Sequence, residues 1–474
     1  MMSHLLHYSN CGPIDELITG VSQSIVSDLD EELNLNDETL NRMMRVMEEE
    51  MKNGLSRDEK TRKQSSLQME NTYVRDVLDG TEDGDFLALD LGGTNFRVLR
   101  MIMRAGKLIS FVSRNYNVSA EKLHGPAIGV FDHLAESIAK FLEEENIKDK
   151  KMSLGFTFSF PMVQEGLRKG ILVTWTKSFK CPDGVGEDAV KMLEDAIHRR
   201  GDINVEVVAI LNDTTGTLMA GAYIDHHCQI GLILGTGSNA SYVEHLENVD
   251  KWTQPIEDPK KVLIDIEWGA FGDNGSLDFL KTDCDRLVDK TSNHVGSFTF
   301  EKLFAGLYLG ELLRNYLVKF SSNGSLFSGK QTEALCKVGT VKTSHVSNIE
   351  KDVFNLENTK AFLREIGLLE DASPSDVAAV RLISELITIR AAKIISTALS
   401  VLLHHVKKPE VTIAVDGSLY EYHPTLKHLM QAELDRLVPK TKSKLILAED
   451  GSGRGAGFVV AVVSRLQKYQ LNSI

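Results

Sequence analysis

Two β-hairpins with glycine-rich tips, one in each half of the chain, constrain the fold of this sequence most strongly. The first occupies Phe86–Met103 and turns at Gly92–Asn95. The second occupies Gln229–Leu246 and turns at Gly235–Asn239. Small polar residues between two apolar strands are typical of tight hairpin turns. The pattern indicates a weak internal duplication, in which each half of the chain presents a similar tip.

Long helical segments alternate with the strands, which predicts layered α/β architecture. Asp37 can cap the first helix, and Leu40, Met44, Met47 and Met51 follow one of its faces. We predict helices at 37–54, 131–145, 187–200, 303–318 and 375–407, and strands at 86–91, 96–103, 108–118, 152–158, 229–234, 240–246, 411–415 and 444–447, with one more ending at Asp213. A turn-rich connection is expected over 161–183.

Size and charge exclude several classes of protein. With 474 residues, 42% hydrophobic and 25% charged, the chain predicts a globular protein of two or three lobes. A net charge of −14 without a basic stripe argues against a nucleic-acid partner, and no apolar run reaches the 18 or so residues of a membrane span. Five scattered cysteines without a CxxC pair, and a start without a secretory signal, favour the cytoplasm.

Asp213 is the most informative single residue. It lies where an apolar strand ends and a helical stretch, 214–224, begins. A carboxylate in that position can accept a proton from a substrate hydroxyl. It can equally be a helix N-cap, which is the commoner role for Asp at such a junction. The other motifs of the chain decide in favour of the general base.

The turn 90–97, Asp-Leu-Gly-Gly-Thr-Asn-Phe-Arg, has the parts of a phosphate site, although a plain hairpin loop remains the alternative. Its glycines let the backbone N–H groups approach an anion, and Arg97 adds charge. Together with Gly235–Asn239 it could hold a polyphosphate from two sides. Asp416–Ser418 at a strand end and Gly451–Gly455 at a helix start suit nucleoside contact and the positive end of a helix dipole. No Walker loop occurs, which disfavours a P-loop fold.

A set of polar residues suits a polyol ligand. Sugars need several fixed donors and acceptors, because each unmatched buried polar group costs about 1–3 kcal/mol. Taken singly, each Ser, Thr or Asn of the set is explained as well by a hydrogen bond within its own loop. The set comprises Ser159, Thr176, Lys177, Asn212, Asn239 and Glu267.

The chain closely resembles the eukaryotic hexokinases, glucokinase included, over roughly residues 17–466. The resemblance rests on seven motifs in order: 89–97, 154–161, 174–177, 211–214, 235–239, 267–272 and 415–420. It implies an actin-like (ribonuclease H-like) ATPase fold, a duplicated α/β fold with two lobes around a cleft. The implied parts are an N-terminal helical segment on the large lobe (1–78), the small lobe (79–212), the large lobe (213–457) and a C-terminal helix returning to the small lobe (458–474).

The resemblance further implies transfer of the γ-phosphoryl group of ATP to the 6-hydroxyl of a hexose, glucose above all, with lobe closure on sugar binding. Its catalytic residues would be Asp213 as general base, Lys177 and Arg97. Its sugar contacts would be Ser159, Thr176, Lys177, Asn212, Asp213, Asn239, Glu267 and Glu301. Its nucleotide contacts would be Asp90, Leu91, Gly92, Gly93, Thr94, Asn95, Arg97, Thr236, Asp416, Gly417, Ser418, Leu419 and Ser452. Asp90 would hold Mg²⁺.

The chain departs from the family pattern in two places. Phe298 stands where members usually have Gln, three residues before Glu301, and Arg454 replaces the usual Lys of the last glycine-rich turn. Competing interpretations are another actin-like ATP hydrolase, a kinase for a different polyol, and a catalytically silent sugar sensor. A hydrolase has no need of Ser159, Lys177 and Glu267 together, and a sensor has no need of Asp213. We expect small-molecule partners and a monomer or homodimer.

Overall fold

The computed structural model describes residues 20–92, 95–176, 178–353 and 355–472. Its strands are β1 (Glu70–Asn71), β2 (Gly84–Leu91), β3 (Asn95–Arg104), β4 (Lys107–Asn117), β5 (Met152–Phe158), β6 (Met162–Gly166), β7 (Lys169–Leu172), β8 (Val205–Leu211), β9 (Cys228–Leu234), β10 (Ser238–His245), β11 (Lys261–Asp265), β12 (Glu410–Asp416) and β13 (Lys442–Leu447).

The helices are α1 (Gln23–Leu33), α2 (Asp37–Gly54), α3 (Glu59–Arg62), α4 (Ala120–His124), α5 (Ala127–Glu144), α6 (Ala189–Arg200), α7 (Asp213–Ile224), α8 (Asp283–Thr291), α9 (Thr299–Lys302), α10 (Leu309–Ser322), α11 (Glu333–Cys336), α12 (Thr343–Ile349), α13 (Glu357–Glu365), α14 (Pro374–Val406), α15 (Ser418–Tyr422), α16 (Leu426–Leu437) and α17 (Gly451–Asn472). Short 3₁₀ turns lie at Leu246–Asn248, Trp268–Ala270, Asp278–Leu280, Phe327–Gly329 and Leu369–Asp371.

Two sheets repeat the same topology. The first has the order β4-β3-β2-β5-β8, with β3 antiparallel to its neighbours and β2, β5 and β8 parallel. The second has the order β11-β10-β9-β12-β13 with the same strand senses, and β1 adds to its edge. The duplication read from the two hairpins is therefore confirmed, and with it the two-lobed, actin-like α/β fold. The lobe boundaries at 78, 212 and 457 stay predictions.

Local capping differs from expectation at two helices. Helix α2 has the predicted bounds, but Asn36 caps it, because its side chain accepts from Thr39 N at 2.9 Å. Met43 is buried on its inner face, whereas Met44 is only partly buried. At α7 the cap is Asn212, which accepts from Thr214 N at 3.1 Å, and Asp213 is the first helical residue. The N-cap role weighed for Asp213 therefore belongs to its neighbour.

Residues 303–308, predicted to be helical, form turns, and α10 begins at Leu309. The reason is a competing partner for the backbone. Gly306 N donates to Gly235 O at 2.8 Å, and Leu307 N donates to Thr236 O at 3.0 Å. These bonds fasten the second glycine-rich tip to the segment that follows α9.

The strands β1, β6, β7 and β11 were also not predicted. Of these, β6 and β7 form a separate hairpin within the expected turn-rich connection.

Helix α14 is the core helix of the second lobe. Ser373 and Asp376 form its capping box, and Pro374 stands in its first turn, where no backbone N–H is needed. It is long and apolar enough to span a membrane, but 89% of its most apolar window is buried inside the protein. Helices α1 and α2 pack on it from outside. Burial in the core therefore explains why α14 is so apolar.

Helices α7 and α17 cross in very close contact, and α17 packs on β2, β3 and β5 as well. A Cβ on Gly455 would lie 2.2 Å from Gly216 Cα, and one on Gly216 would lie 2.6 Å from Gly451 O. Only glycine permits backbones to approach so closely. The crossing therefore fixes the start of α7 relative to the start of α17.

Candidate active site

The ends of the parallel strands bring the predicted residues to one edge of each sheet. In the first sheet, Asp90 pairs with Thr157 across β2 and β5, and Leu211 ends β8 directly before Asn212. In the second sheet, β9 ends before Gly235 and β12 ends at Asp416. Because parallel strands of one sheet end on the same side, the residues that follow them form a common site. Buried strands thus present polar residues at their ends.

A hydrogen-bonded cluster joins three residues of the predicted sugar set. Glu267 Oε1 accepts from Asn212 Nδ2 at 3.3 Å and from Asn239 Nδ2 at 3.1 Å. Asn239 is itself fixed, because its Oδ1 accepts from Ala240 N at 2.7 Å and Trp268 N at 3.3 Å. Glu267 has a left-handed backbone (φ 54°), which turns the chain between β11 and the following 3₁₀ turn. The cluster thus links the end of β8 to the second sheet.

Asp265 belongs to the same cluster, although the sequence did not point to it. Its Oδ1 accepts from Asn239 Nδ2 at 2.8 Å and from Thr214 Oγ1 at 3.4 Å. Burial raises the pKa of Asp265 to about 7, and burial together with the nearby Asp265 charge raises the pKa of Glu267 well above its ordinary range. The sequence signal that could have identified Asp265 is its position two residues before Glu267, in the segment 264–267.

Glu301 lies beside this cluster, at the tip of the second hairpin. Its Oε2 accepts from Ser238 N at 3.0 Å, and Tyr308 OH donates to its Oε1 at 3.5 Å. Burial raises the pKa of Glu301. Phe298 precedes it with a left-handed backbone (φ 59°) and a side chain that is 38% exposed. A Cβ on Gly269 would lie 3.3 Å from Glu301 Oε2 and 3.5 Å from the Phe298 ring, so the two side chains are neighbours.

Ser159 and Thr176 stand on the first lobe, and the described hydrogen bonds do not join them to Glu267. Ser159 N donates to Leu91 O at 3.2 Å, and Thr176 O accepts from Phe179 N at 3.2 Å. Packed aromatic rings hold both segments: Trp175 lies 5.1 Å from Phe160 and 5.3 Å from Phe179. Three predicted contacts, Lys177, Gly93 and Thr94, lie outside the described residues.

A second cluster gathers predicted nucleotide contacts around Arg97. Its guanidinium donates to Asp90 Oδ2 at 2.6 Å and to Ser452 Oγ at 3.2 Å. Ser452 Oγ also donates to Asp90 Oδ2 at 3.0 Å. Asp450, which the sequence did not single out, pairs with Arg97 at 2.6 Å, and burial raises its pKa. Arg454 lies over the ring of Phe111, 4.7 Å from its centroid.

The remaining nucleotide set surrounds the junction of β12 with α15. Asp416 Oδ2 accepts from Gly451 N at 3.0 Å, and burial raises the pKa of Asp416. Gly417 has φ 126°, and a Cβ there would lie 2.5 Å from the Leu234 carbonyl, so only glycine fits beside the second tip. Ser418 and Leu419 open α15, and Thr236 accepts from Leu307 N. Leu91 ends β2, and Gly92 follows it. Asn95 pairs with Asn117 at the exposed start of β3.

Helix α7 connects the two clusters. Asp213 starts it next to Asn212, and the Asp213 charge contributes to the raised pKa values of both Asp265 and Glu267. Three residues further on, Gly216 meets the first turn of α17, where Ser452 lies. The first turn of α7 therefore separates the Glu267 cluster from the Arg97 cluster, and this turn carries the Asp213 carboxylate.

Known proteins match this chain over most of its length. The hexokinase family models match residues 25–223 and 229–462. Human hexokinase-1 is 42% identical over 92% of the chain, and rat hexokinase-2 is 41% identical over 92%. The chain spans about half the length of these relatives, 47% and 48% respectively.

Solved structures show the same relationship. A hexokinase from Schistosoma mansoni complexed with glucose has a TM-score of 0.80 and 38% identity, with 93% of this chain and 99% of that chain covered. A second hexokinase crystal structure has a TM-score of 0.76 and 28% identity, with 93% and 100% covered. The chain belongs to the hexokinase family.

Proposed function

We propose that this protein transfers the γ-phosphoryl group of ATP to the 6-hydroxyl of a hexose, with glucose as the first candidate. The observation that carries the proposal is the position of Asp213. It begins the helix whose first turn lies between the Asn212–Asn239–Glu267 cluster and the Arg97–Ser452 cluster. A sugar bound to the first cluster and a nucleotide bound to the second would meet at this carboxylate. The glucose complex of the Schistosoma relative supports the choice of sugar.

The chemistry follows from this placement. Asp213 accepts the proton of the attacking hydroxyl while the new oxygen–phosphorus bond forms and the bond to the ADP oxygen breaks. Arg97 and Lys177 offset the negative charge that develops on the transferred group. Ser159, Thr176, Asn212, Asn239, Glu267 and Glu301 orient the sugar. Because Ser159 and Thr176 belong to the other lobe, closure of the lobes on the sugar brings the set together and excludes water.

Magnesium fits the acidic surroundings of Arg97. Asp90 Oδ2 carries the bonds to Arg97 and Ser452, while Oδ1 lies 3.9 Å from where a Cβ on Gly92 would stand, facing the first tip. Within the described ranges there is no group of three or more His, Cys, Asp or Glu at metal-holding distance. Asp90 would therefore hold the ion together with phosphate oxygens, the usual mode for Mg²⁺. When bound, the ion supplies charge neutralisation at the phosphates.

The cytoplasm is the proposed location. Cys181, Cys228 and Cys284 are buried free thiols, and Cys336 is an exposed one. Free thiols are typical of a reducing compartment.

The decisive experiment is a coupled assay of ADP release with a panel of hexoses. We expect ADP release to depend on hexose, and Asp213→Asn to lower kcat by roughly a hundred- to ten-thousand-fold while glucose still binds. Asp132→Asn is the matched control, because it removes a carboxylate whose ion pair with Arg199 is largely exposed. Its kcat should equal that of the wild type.

The competing functions give different results in the same assay. ATP turnover that ignores added hexose would identify a hydrolase. Tight glucose binding without ADP formation would identify a sensor. Turnover on a non-hexose polyol alone would identify a kinase of different specificity.

A further inference from the structure

Asp265 is buried at the floor of the candidate sugar site. It ends β11, where it pairs with Glu70 of β1 on one side and Ser241 of β10 on the other, and it is 4% exposed. Its Oδ1 accepts from Asn239 and Thr214. Its carboxyl is also hydrogen-bonded to the Glu267 carboxyl. Asp265 thus touches Glu267 through its side chain, and Asn239 Nδ2 donates to both carboxyls.

Two carboxyl groups that share a hydrogen bond need a proton between them. Glu267 Oε1 accepts from two amide groups, those of Asn212 and Asn239, so the proton belongs on the Glu267 oxygen that faces Asp265. In that arrangement Asp265 accepts from Asn239, Thr214 and Glu267. A pair of carboxyls this close titrates in separated steps, as in other carboxyl dyads.

The surrounding charges favour keeping this proton. Asp213 on α7 acts on both carboxyls, and Glu70 on β1 acts on Glu267. Among the described residues, the charges that act most strongly on Asp265 and Glu267 are therefore negative. Lys251 and Arg62 offset Glu70, whose own pKa is raised by burial. A second full negative charge on the buried Asp265–Glu267 pair would be strongly disfavoured.

We propose that Asp265 is a positioning residue of the sugar site, which accepts a hydrogen bond from the protonated Glu267 carboxyl and so presents Glu267 and Asn239 to the sugar in fixed orientations. This inference rests on the proposed function for its ligand, a hexose. It predicts that sugar affinity depends on the proton held by the Asp265–Glu267 pair. When that proton is lost, the two carboxylates repel each other and release Asn239.

The first test compares glucose kinetics of the wild type and Asp265→Asn between pH 6 and 9. The amide keeps the acceptor for Asn239 and offers Glu267 a permanent donor, so the shared proton is no longer needed. In the wild type we expect the KM for glucose to rise with pH as the pair loses its shared proton, by up to tenfold per pH unit. In Asp265→Asn this rise should be absent, and the change should fall on KM more than on kcat. Identical pH profiles for KM in the two proteins would overturn the proposal.

The second test measures the urea midpoint of unfolding against pH and needs no activity. The folded pair holds a proton at pH values at which both carboxyls are ionised in the unfolded chain, so the folded state binds more protons and loses stability as pH rises from about 4 until that proton is lost. The midpoint of Asp265→Asn minus that of the wild type should therefore increase over this interval and then level off. A difference that does not change with pH would overturn the proposal.

Asp225→Asn is the matched control, at the other end of α7. Despite burial, hydrogen bonds from Lys444 and Thr412 hold the pKa of Asp225 below its ordinary value. The wild type should therefore gain stability over Asp225→Asn only as pH rises towards about 4, and the difference between these two proteins should stay constant at higher pH, where that for Asp265→Asn changes. If no hexose is phosphorylated, the proposed function fails, while the urea profiles still decide whether Asp265 shares a proton.

Discussion

The glycine crossing of α7 and α17 makes a sharp prediction for Gly455→Ala. The added Cβ would lie 2.2 Å from Gly216 Cα, about 1.2 Å short of the 3.4 Å at which ordinary contact begins. The neighbouring atoms are backbone, so the two helices must separate. Overpacking of this kind costs about 1–3 kcal/mol, of which better helix propensity returns up to about 1 kcal/mol. We expect a net loss of about 1–2 kcal/mol in the free energy of unfolding, measured with urea.

The larger effect should be on catalysis. Separation of the helices moves Ser452 and the Arg97 cluster away from Asp213, and a shift of about 1 Å in a reacting geometry costs about a hundredfold. We expect kcat to fall by about that factor, while glucose binding, measured by intrinsic fluorescence, is retained because the Glu267 cluster is not attached to α17.

Gly129→Ala is the control for this substitution. Gly129 lies in α5, with nothing within 4 Å of an added Cβ. Alanine there should leave kcat unchanged and raise stability by about 0.5–1 kcal/mol. If Gly455→Ala retains kcat within threefold of the wild type, the crossing does not set the distance between the two clusters.

Two further predictions concern the second lobe. Phe298→Gln replaces an exposed ring beside Glu301 with an amide that can bind a hydroxyl, so the KM for glucose in initial-rate assays should fall about tenfold, whereas Phe298→Leu should not lower it. Arg390→Met leaves the buried Asp285 carboxylate without the guanidinium bonds of 2.9 and 2.7 Å, and unfolding in urea should show a loss of about 3–5 kcal/mol. Adding Asp285→Asn should recover part of that loss; no recovery would contradict the ion-pair argument.

Periodic apolar segments made most of the fold predictable. Strand β5 has the predicted bounds, 152–158, and both hairpins are present, because buried strands followed by glycine-rich turns have few alternatives. The polar residues after β8 were predicted for the same reason. The short strands β1 and β11 were missed, since two to five residues carry too little pattern.

Other features depend on partners that are distant in sequence. Both Asn212 and Asp213 suit an N-cap, and the fold selects Asn212. Residues 303–308 have a helical pattern, yet their N–H groups bond to the Gly235 tip. Asp265 and Asp450 acquire their roles from Glu267 and Arg97; the alternation of Asp265 with Glu267 is a weak local signal, whereas Arg97 is distant from Asp450 in the sequence.

The order of the strands along the chain affects how this protein can assemble during synthesis. The first sheet is built from one continuous stretch, 84–211, whereas the second combines β1 at residue 70 with β13 at 447. The second sheet must therefore wait until nearly the whole chain has left the ribosome, with α2 and its methionines lacking their core partner until then. Contacts between distant parts of a chain form slowly and leave apolar surface exposed meanwhile. Nascent chains arrested before β12 also lack α17, which covers one face of the first sheet, so proteases should cut the first sheet more slowly than the second but faster than in the complete protein.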